Sequence, residues 1–186
     1  MWKYNNQLLF PVEIKQTDLF LAKALLELYA GSQSALGNAI RYSSQKFSFN
    51  DENIKQLLTN IAAEEFSHWE IIGTMISQLM QNATIEEIKQ ANMCDIYAKQ
   101  NMVISPCYAA KNSFCAKSIS TGDNSISNLC DNLAAEQKSR SQYEHMINLT
   151  NDKEVIKILS FLRQREIVHF QRFGEALNRI QQIKND

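Results

Sequence analysis

Two short runs of this chain hold residues that could do chemistry together. AAEEFSHWE contains Glu65 and His68, REIVHFQRF contains Glu166 and His169, and each pair is spaced Glu-x-x-His. On a helix, three positions bring two side chains to one face, so each run can present a carboxylate and an imidazole to the same point. The chain has only three histidines, and two occupy these matching positions. One such motif is usually an exposed pair or a satisfied core histidine. Two copies flanked by apolar residues turn their carboxylates inward, where an uncompensated charge costs several kcal/mol or forces protonation. A metal ion resolves that conflict.

A third run, NLAAEQKSRSQYEH, adds Glu136 behind Leu133, Ala134 and Ala135, with Tyr143 two helical turns further on the same face. His145 is out of phase with Glu136 and reads as solvated, not as a ligand. Arg163 and Arg165 beside Glu166 read either as partners of the site or as exposed charge, and we expect exposure for at least one of them.

The elements that must position these residues are helices. Five Gly and two Pro are few for 186 residues, which disfavours a fold of many tight turns, and 45% hydrophobic content suffices to bury one domain's core. A 3.6-residue apolar period marks four long stretches, about 17–45, 51–80, 125–149 and 152–184. Thr17 is placed to cap the first, Asn50 or Asp51 the second, and Asn151-Asp152 opens the fourth. Short connections at 47–50 and 150–152 make antiparallel hairpins, and two hairpins pack into a bundle. Between them Thr84-Ile-Glu-Glu87 reads as a capping box opening a short helix, and about 91–123 as one long crossover. The expected fold is all-α, a four-helix bundle with one long crossover connection, in a single domain over 1–186.

The two hairpins also repeat. A displacement of 101 positions superposes Asn151-Asp152 on Asn50-Asp51, Leu159 on Leu58, Glu166 on Glu65, His169 on His68 and Tyr143 on Tyr42. Two helices giving a Glu each and two giving Glu-x-x-His form the ferritin-like dinuclear carboxylate site. Its oxygen and imidazole donors suit manganese or iron better than copper(I) or structural zinc.

With 19 basic and 20 acidic residues, no field attracts nucleic acid or anionic lipid. No apolar run is long enough to cross a bilayer and no signal-like opening is present, so we expect synthesis in the cytosol with neither nucleic acid nor membrane as partner. Cys94, Cys107, Cys115 and Cys130 fit no CxxC pattern and read as structural or incidental thiols.

The segments LLTNIAAEEFSHWEIIGTMI, LAAEQKSRSQYEHMINLTND and ILSFLRQREIVHFQRFGEAL resemble the manganese catalases, most of all the short spore-coat members of that family, and the likeness extends to the opening WKYNNQLLFPV. The resemblance implies a dimanganese site that disproportionates hydrogen peroxide. It implies that Glu65 bridges the metals, that His68 binds one metal, and that Glu136 and His169 bind the other. Glu166 would be a nearby carboxylate handling protons, and Tyr42 a hydrogen-bond partner of the ligands. It further implies a homo-oligomer, other coat proteins as partners, and the spore coat as destination.

One position breaks the pattern. Glu136 precedes His169 by 33 residues, and the residue 33 before His68 is Ala35, in the small-residue stretch AGSQSALGNAIRY. The family carries a glutamate ligand there. On a straight helix Glu27 would lie about 12 Å along the axis and roughly 80° around from Ala35, out of reach, while Gln33 and Ser34 face elsewhere. Three glutamates leave one positive charge of two divalent cations uncompensated, so we expect the metal near His68 to be weakly held or absent unless Glu166 becomes a ligand. Two readings follow: a catalase of reduced activity, or a coat protein whose site has decayed and whose cysteines serve as cross-links. An iron oxidase of the ferritin type shares the ligand types but is less similar in the flanking sequence.

Overall fold

The computed structural model describes residues 7–94, 104 and 124–185. Six α-helices are described: α1 Leu19–Ala30, α2 Ala35–Gln45, α3 Glu52–Met80, α4 Ile85–Gln90, α5 Ser125–Ile147 and α6 Lys153–Asn185, with a 3-10 turn at Lys46–Ser48. No strand runs through the described residues. Helix α5 packs along α6, α1 and α2 both pack on α3, α3 meets α6, and α1 and α2 touch α5. The result is two hairpins closed into one helical bundle, with α1 and α2 together in the place of one long helix.

Local chemistry sets the helix starts. Asp51 accepts from the Asn53 N–H at 2.8 Å, Asn124 from Ile126 at 2.9 Å and Asp152 from Glu154 at 2.9 Å. Each satisfies one of the donors that a helix start leaves unpaired. The capping box at Thr84 and Glu87 is complete in both directions. Most of the expected crossover, apart from residues 91–94 and 104, lies outside the described residues, as do Cys107 and Cys115. Cys94 and Cys130 are free thiols.

The first long helix is not continuous, against the expectation for 17–45, and its cap is Asp18, not Thr17. Asp18 Oδ1 accepts from the Leu21 N–H at 2.9 Å. The helix stops at Ala30 because Gly31 turns to extended backbone (φ −69°, ψ 170°), while its N–H still donates to the Glu27 carbonyl at 2.9 Å. Ser34 restarts it, with its hydroxyl accepting from the Gly37 N–H at 3.2 Å. A Cβ at Gly31 would lie 2.5 Å from Glu27 O and 2.6 Å from Glu27 Oε2. Glycine is therefore required by close approach, not by its φ. The straight-helix estimate for Glu27 no longer applies; its carboxylate lies against Gly31 instead.

Two apolar clusters fill the bundle. One gathers Leu21, Leu25, Ile72, Met75, Ile76, Leu159 and Leu162, the other Phe49, Ile54, Leu58, Ile61, Leu129 and Phe173. Along α3, α5 and α6 the segment between these clusters carries Glu65 and His68, Glu136, and Glu166 and His169. The polar residues thus form one layer sealed at both ends by packed hydrocarbon.

Candidate metal centre

The hairpin repeat becomes a spatial two-fold at this layer. Residues 101 apart meet each other: Asn38 Nδ2 donates to Ser139 Oγ at 3.2 Å, and Arg165 grips Glu64. The His68 and His169 rings stack with centroids 5.5 Å apart and planes 20° off parallel. Contacts between equivalent residues place them on or near the axis that relates the two halves.

Five side chains converge there. Glu65 is 1%, Glu136 0%, Glu166 1%, His68 0% and His169 0% exposed. Single donor atoms of Glu65, Glu136, Glu166 and His169 lie within 4.8 Å of one another, the spacing of groups able to share a cation. His169 Nδ1 is 3.1 Å from Glu65 Oε1 and 3.4 Å from Glu136 Oε2. His68 Nδ1 is 3.2 Å from Glu166 Oε1 and 3.7 Å from Glu65 Oε1. His68 is not in the grouped set, but it faces Glu166 and Glu65 at its edge. Tyr42 donates its hydroxyl to Glu136 Oε1. Its repeat equivalent Tyr143 is also buried.

The electrostatics follow from burial. Desolvation first, then the charges of Glu65 and Glu136, pushes the Glu166 carboxyl well above the usual carboxylate range. Burial also opposes ionisation of Glu65, but His68 and His169 beside it outweigh that cost and hold it low. Burial disfavours the charged form of His169, yet Glu136, Glu64 and Glu65 overcome it and lift its pKa well above the usual imidazole value. Burial and the nearby carboxylates raise both tyrosines, Tyr42 chiefly with Glu136 and Tyr143 chiefly with Glu166.

The donors fit a metal. Glu136 Oε2, both oxygens of Glu166 and Nδ1 of His68 are buried without a hydrogen-bond partner. Their close contacts to neighbouring acids and bases lack hydrogen-bond alignment. Buried polar atoms are nearly always satisfied, and a cluster of such exceptions pointing at one spot calls for a cation. Ala35, in contrast, is 5% exposed and packs within the apolar cluster of Leu25, Ile72 and Leu162, with no donor atom to offer. Glu27 is not among the grouped side chains.

Two features were not anticipated. Glu64, on the flank of α3, sits 3.2 Å from His169 Nε2 through Oε2 and is held by Arg165 Nη2 at 2.6 Å and by Arg172 Nη1 at 3.4 Å. The available signal was that position 165, equivalent to position 64 in the repeat, carries the opposite charge. The expectation that Arg163 or Arg165 is exposed is also corrected. Arg163 pairs with Glu144 at 3.3 Å and Arg165 with Glu64, and both are half-buried. His145 is exposed, as read.

Fold and site together define a helical-bundle protein with a buried centre of carboxylates and imidazoles. The chain belongs to the manganese-containing catalase family, whose profile it matches over residues 1–186. It is 38% identical over 177 residues to Protein CotJC of Bacillus subtilis, covering 95% of this chain and 93% of that one. A probable manganese catalase of Clostridium acetobutylicum is 29% identical over 182 residues, with 97% and 81% covered. The crystal structure of KatB, a manganese catalase from Anabaena, superposes with a TM-score of 0.85 at 30% identity, covering 97% of this chain and 81% of that one. Among the described residues no helix is long and apolar enough to cross a membrane.

Proposed function

We propose that this chain disproportionates hydrogen peroxide, two molecules giving two of water and one of oxygen, at a manganese centre whose second position is impaired. The observation that carries the reading is the buried group Glu65, Glu136, Glu166 and His169, with donor atoms within 4.8 Å, at the heart of a manganese-catalase fold. Bound manganese would supply the electron store that lets one peroxide be oxidised and the next reduced.

The chain's own residues do the rest. Glu65, near both His68 and His169, is the carboxylate that faces both halves of the centre. Glu136 and His169 hold the complete half, with Glu136 fixed by the Tyr42 hydroxyl. His68 holds the other half, where Ala35 offers no ligand and Glu166, 3.2 Å from His68 Nδ1, is the carboxylate that can stand in. Peroxide oxidation releases two protons and peroxide reduction consumes two, so a nearby group must hold protons between encounters. Glu166, whose burial keeps its carboxyl protonated to unusually high pH, suits that task. If it serves as a ligand as well, proton handling suffers, and that is a second reason for slow turnover.

The burial of Ala35 among apolar side chains favours a second reading, a structural protein of the spore coat that keeps the fold with one metal or none. The resemblance to the short spore-coat members supports synthesis in the cytosol, a homo-oligomer, and a place beside other coat proteins under either reading. Metals per chain and oxygen release, measured for the native protein and Ala35→Glu, separate the two. We expect fewer than two manganese ions and slow turnover in the native protein. Ala35→Glu should raise both, with affinity at the weak position improving by about ten- to a hundredfold or more. Two tightly held ions with brisk turnover in the native protein would overturn the impairment. No response to Ala35→Glu would overturn the assignment of position 35. Loading with iron in preference to manganese would favour an oxidase.

A further inference from the structure

The two histidines are equivalent by the repeat but not by their surroundings. His169 points Nδ1 at Glu65 and Glu136, and its other nitrogen, Nε2, stands 3.2 Å from Glu64 Oε2. An ionised carboxylate only accepts, so His169 donates its Nε2–H to Glu64, and it is Nδ1 that faces the carboxylates of the centre, where a metal would take its lone pair. Glu64 is itself held in place, since Arg165 donates to its Oε2 through Nε at 3.0 Å and Nη2 at 2.6 Å, and Arg172 to Oε1 at 3.4 Å. For His68 the equivalent of Glu64 is Arg165, which has no acceptor and is already turned onto Glu64. His68 Nε2 is buried with no partner. One imidazole is anchored through its outer nitrogen, and the other is not.

We propose that Glu64 is a positioning residue that fixes His169 for metal binding and makes the His169 half of the centre the half that takes the first cation. The proposal rests on the reading of the buried group as a metal centre. It adds to the missing ligand at Ala35 a second, independent source of inequality between the halves. Outer partners of this kind orient ligand histidines and raise their basicity, and losing one costs about ten- to a hundredfold in metal affinity.

Two measurements on the full chain test it. In the metal-free protein, imidazole proton–nitrogen NMR should show a hydrogen-bonded Nε2 proton on His169 that is protected from exchange with water, and Glu64→Ala should remove that protection. Titration with manganese alone should show the first ion weakened by about ten- to a hundredfold in Glu64→Ala. Arg165→Gln, which loosens Glu64 without removing it, should weaken that ion less. Glu70→Ala, at an exposed carboxylate on the same helix, should change nothing. If Glu64→Ala does not fold, Glu64→Gln, which keeps the volume and an acceptor but removes the charge, is measured in its place, and a weakened Nε2 hydrogen bond and a smaller loss of affinity are expected. An unchanged Nε2 proton signal and unchanged affinity overturn the proposal. A native protein that binds no manganese overturns the metal-centre reading instead, and the Nε2 proton measurement then still decides whether Glu64 orients His169.

Discussion

The Tyr42 hydroxyl and Glu136 meet where neither touches water, both side chains being 0% exposed. Tyr42→Phe would leave a buried carboxylate oxygen without its donor. A hydrogen bond to a charged group contributes about 1.5–3 kcal/mol, and we expect that loss in denaturant unfolding of the metal-free protein; an unchanged midpoint would refute it. Glu64 sets a pH dependence. Burial alone would raise its pKa, but His169 and Arg165 hold it down to about 2 against an ordinary 4.5. The stability it contributes is therefore fully present above 4.5 and is lost as the pH falls from there toward 2. Glu64→Gln should flatten that part of the acid limb in equilibrium unfolding, and identical limbs would count against the pairing. The Glu-x-x-His pairs were legible because three positions along one helix fix their common face. The role of Glu64 was not, because its partners His169, Arg165 and Arg172 come from another helix and meet it only through packing.

At the scale of elements, the break between α1 and α2 is the feature most exposed to a single substitution. Gly31→Ala drives a Cβ to 2.5 Å from the Glu27 carbonyl oxygen. That atom is backbone and cannot rotate away, so we expect a destabilisation of about 1–3 kcal/mol, typical of overpacking. Thermal unfolding would measure it, and a neutral result would show that the break can relax. Starts at Asp51, Asp152 and Thr84 were readable because caps depend on neighbours in the chain. AGSQSALG was not, since Ser34 and the small residues beside it suit a helix interior facing a neighbour as well as a stop and restart. Contact of Gly31 with Glu27, and of α2 with α3 and α5, decides between them.

Across the whole molecule, a polar layer lies between two apolar clusters, and a cation bound in that layer would tie three helices together. Removing it should release stability by mass action, about 2.7 kcal/mol when free manganese had stood a hundredfold above its dissociation constant. We expect chelation to lower the unfolding temperature accordingly; equal curves with and without chelator would refute a cation in the layer. The amino-acid sequence by itself determined the all-α class, the hairpin repeat, the inward face of the two Glu-x-x-His pairs and of Glu136, and the alanine at position 35 where the repeat calls for a carboxylate. Each of these is periodic or counted along the chain. Only the tertiary structure decided that the first helix breaks, that Glu166 stands against His68, and that Glu64 meets the outer nitrogen of His169 while that of His68 has no such partner. Those outcomes depend on which side chains meet across the two-fold, and a one-dimensional pattern that repeats almost perfectly cannot say how its two copies differ once they face each other.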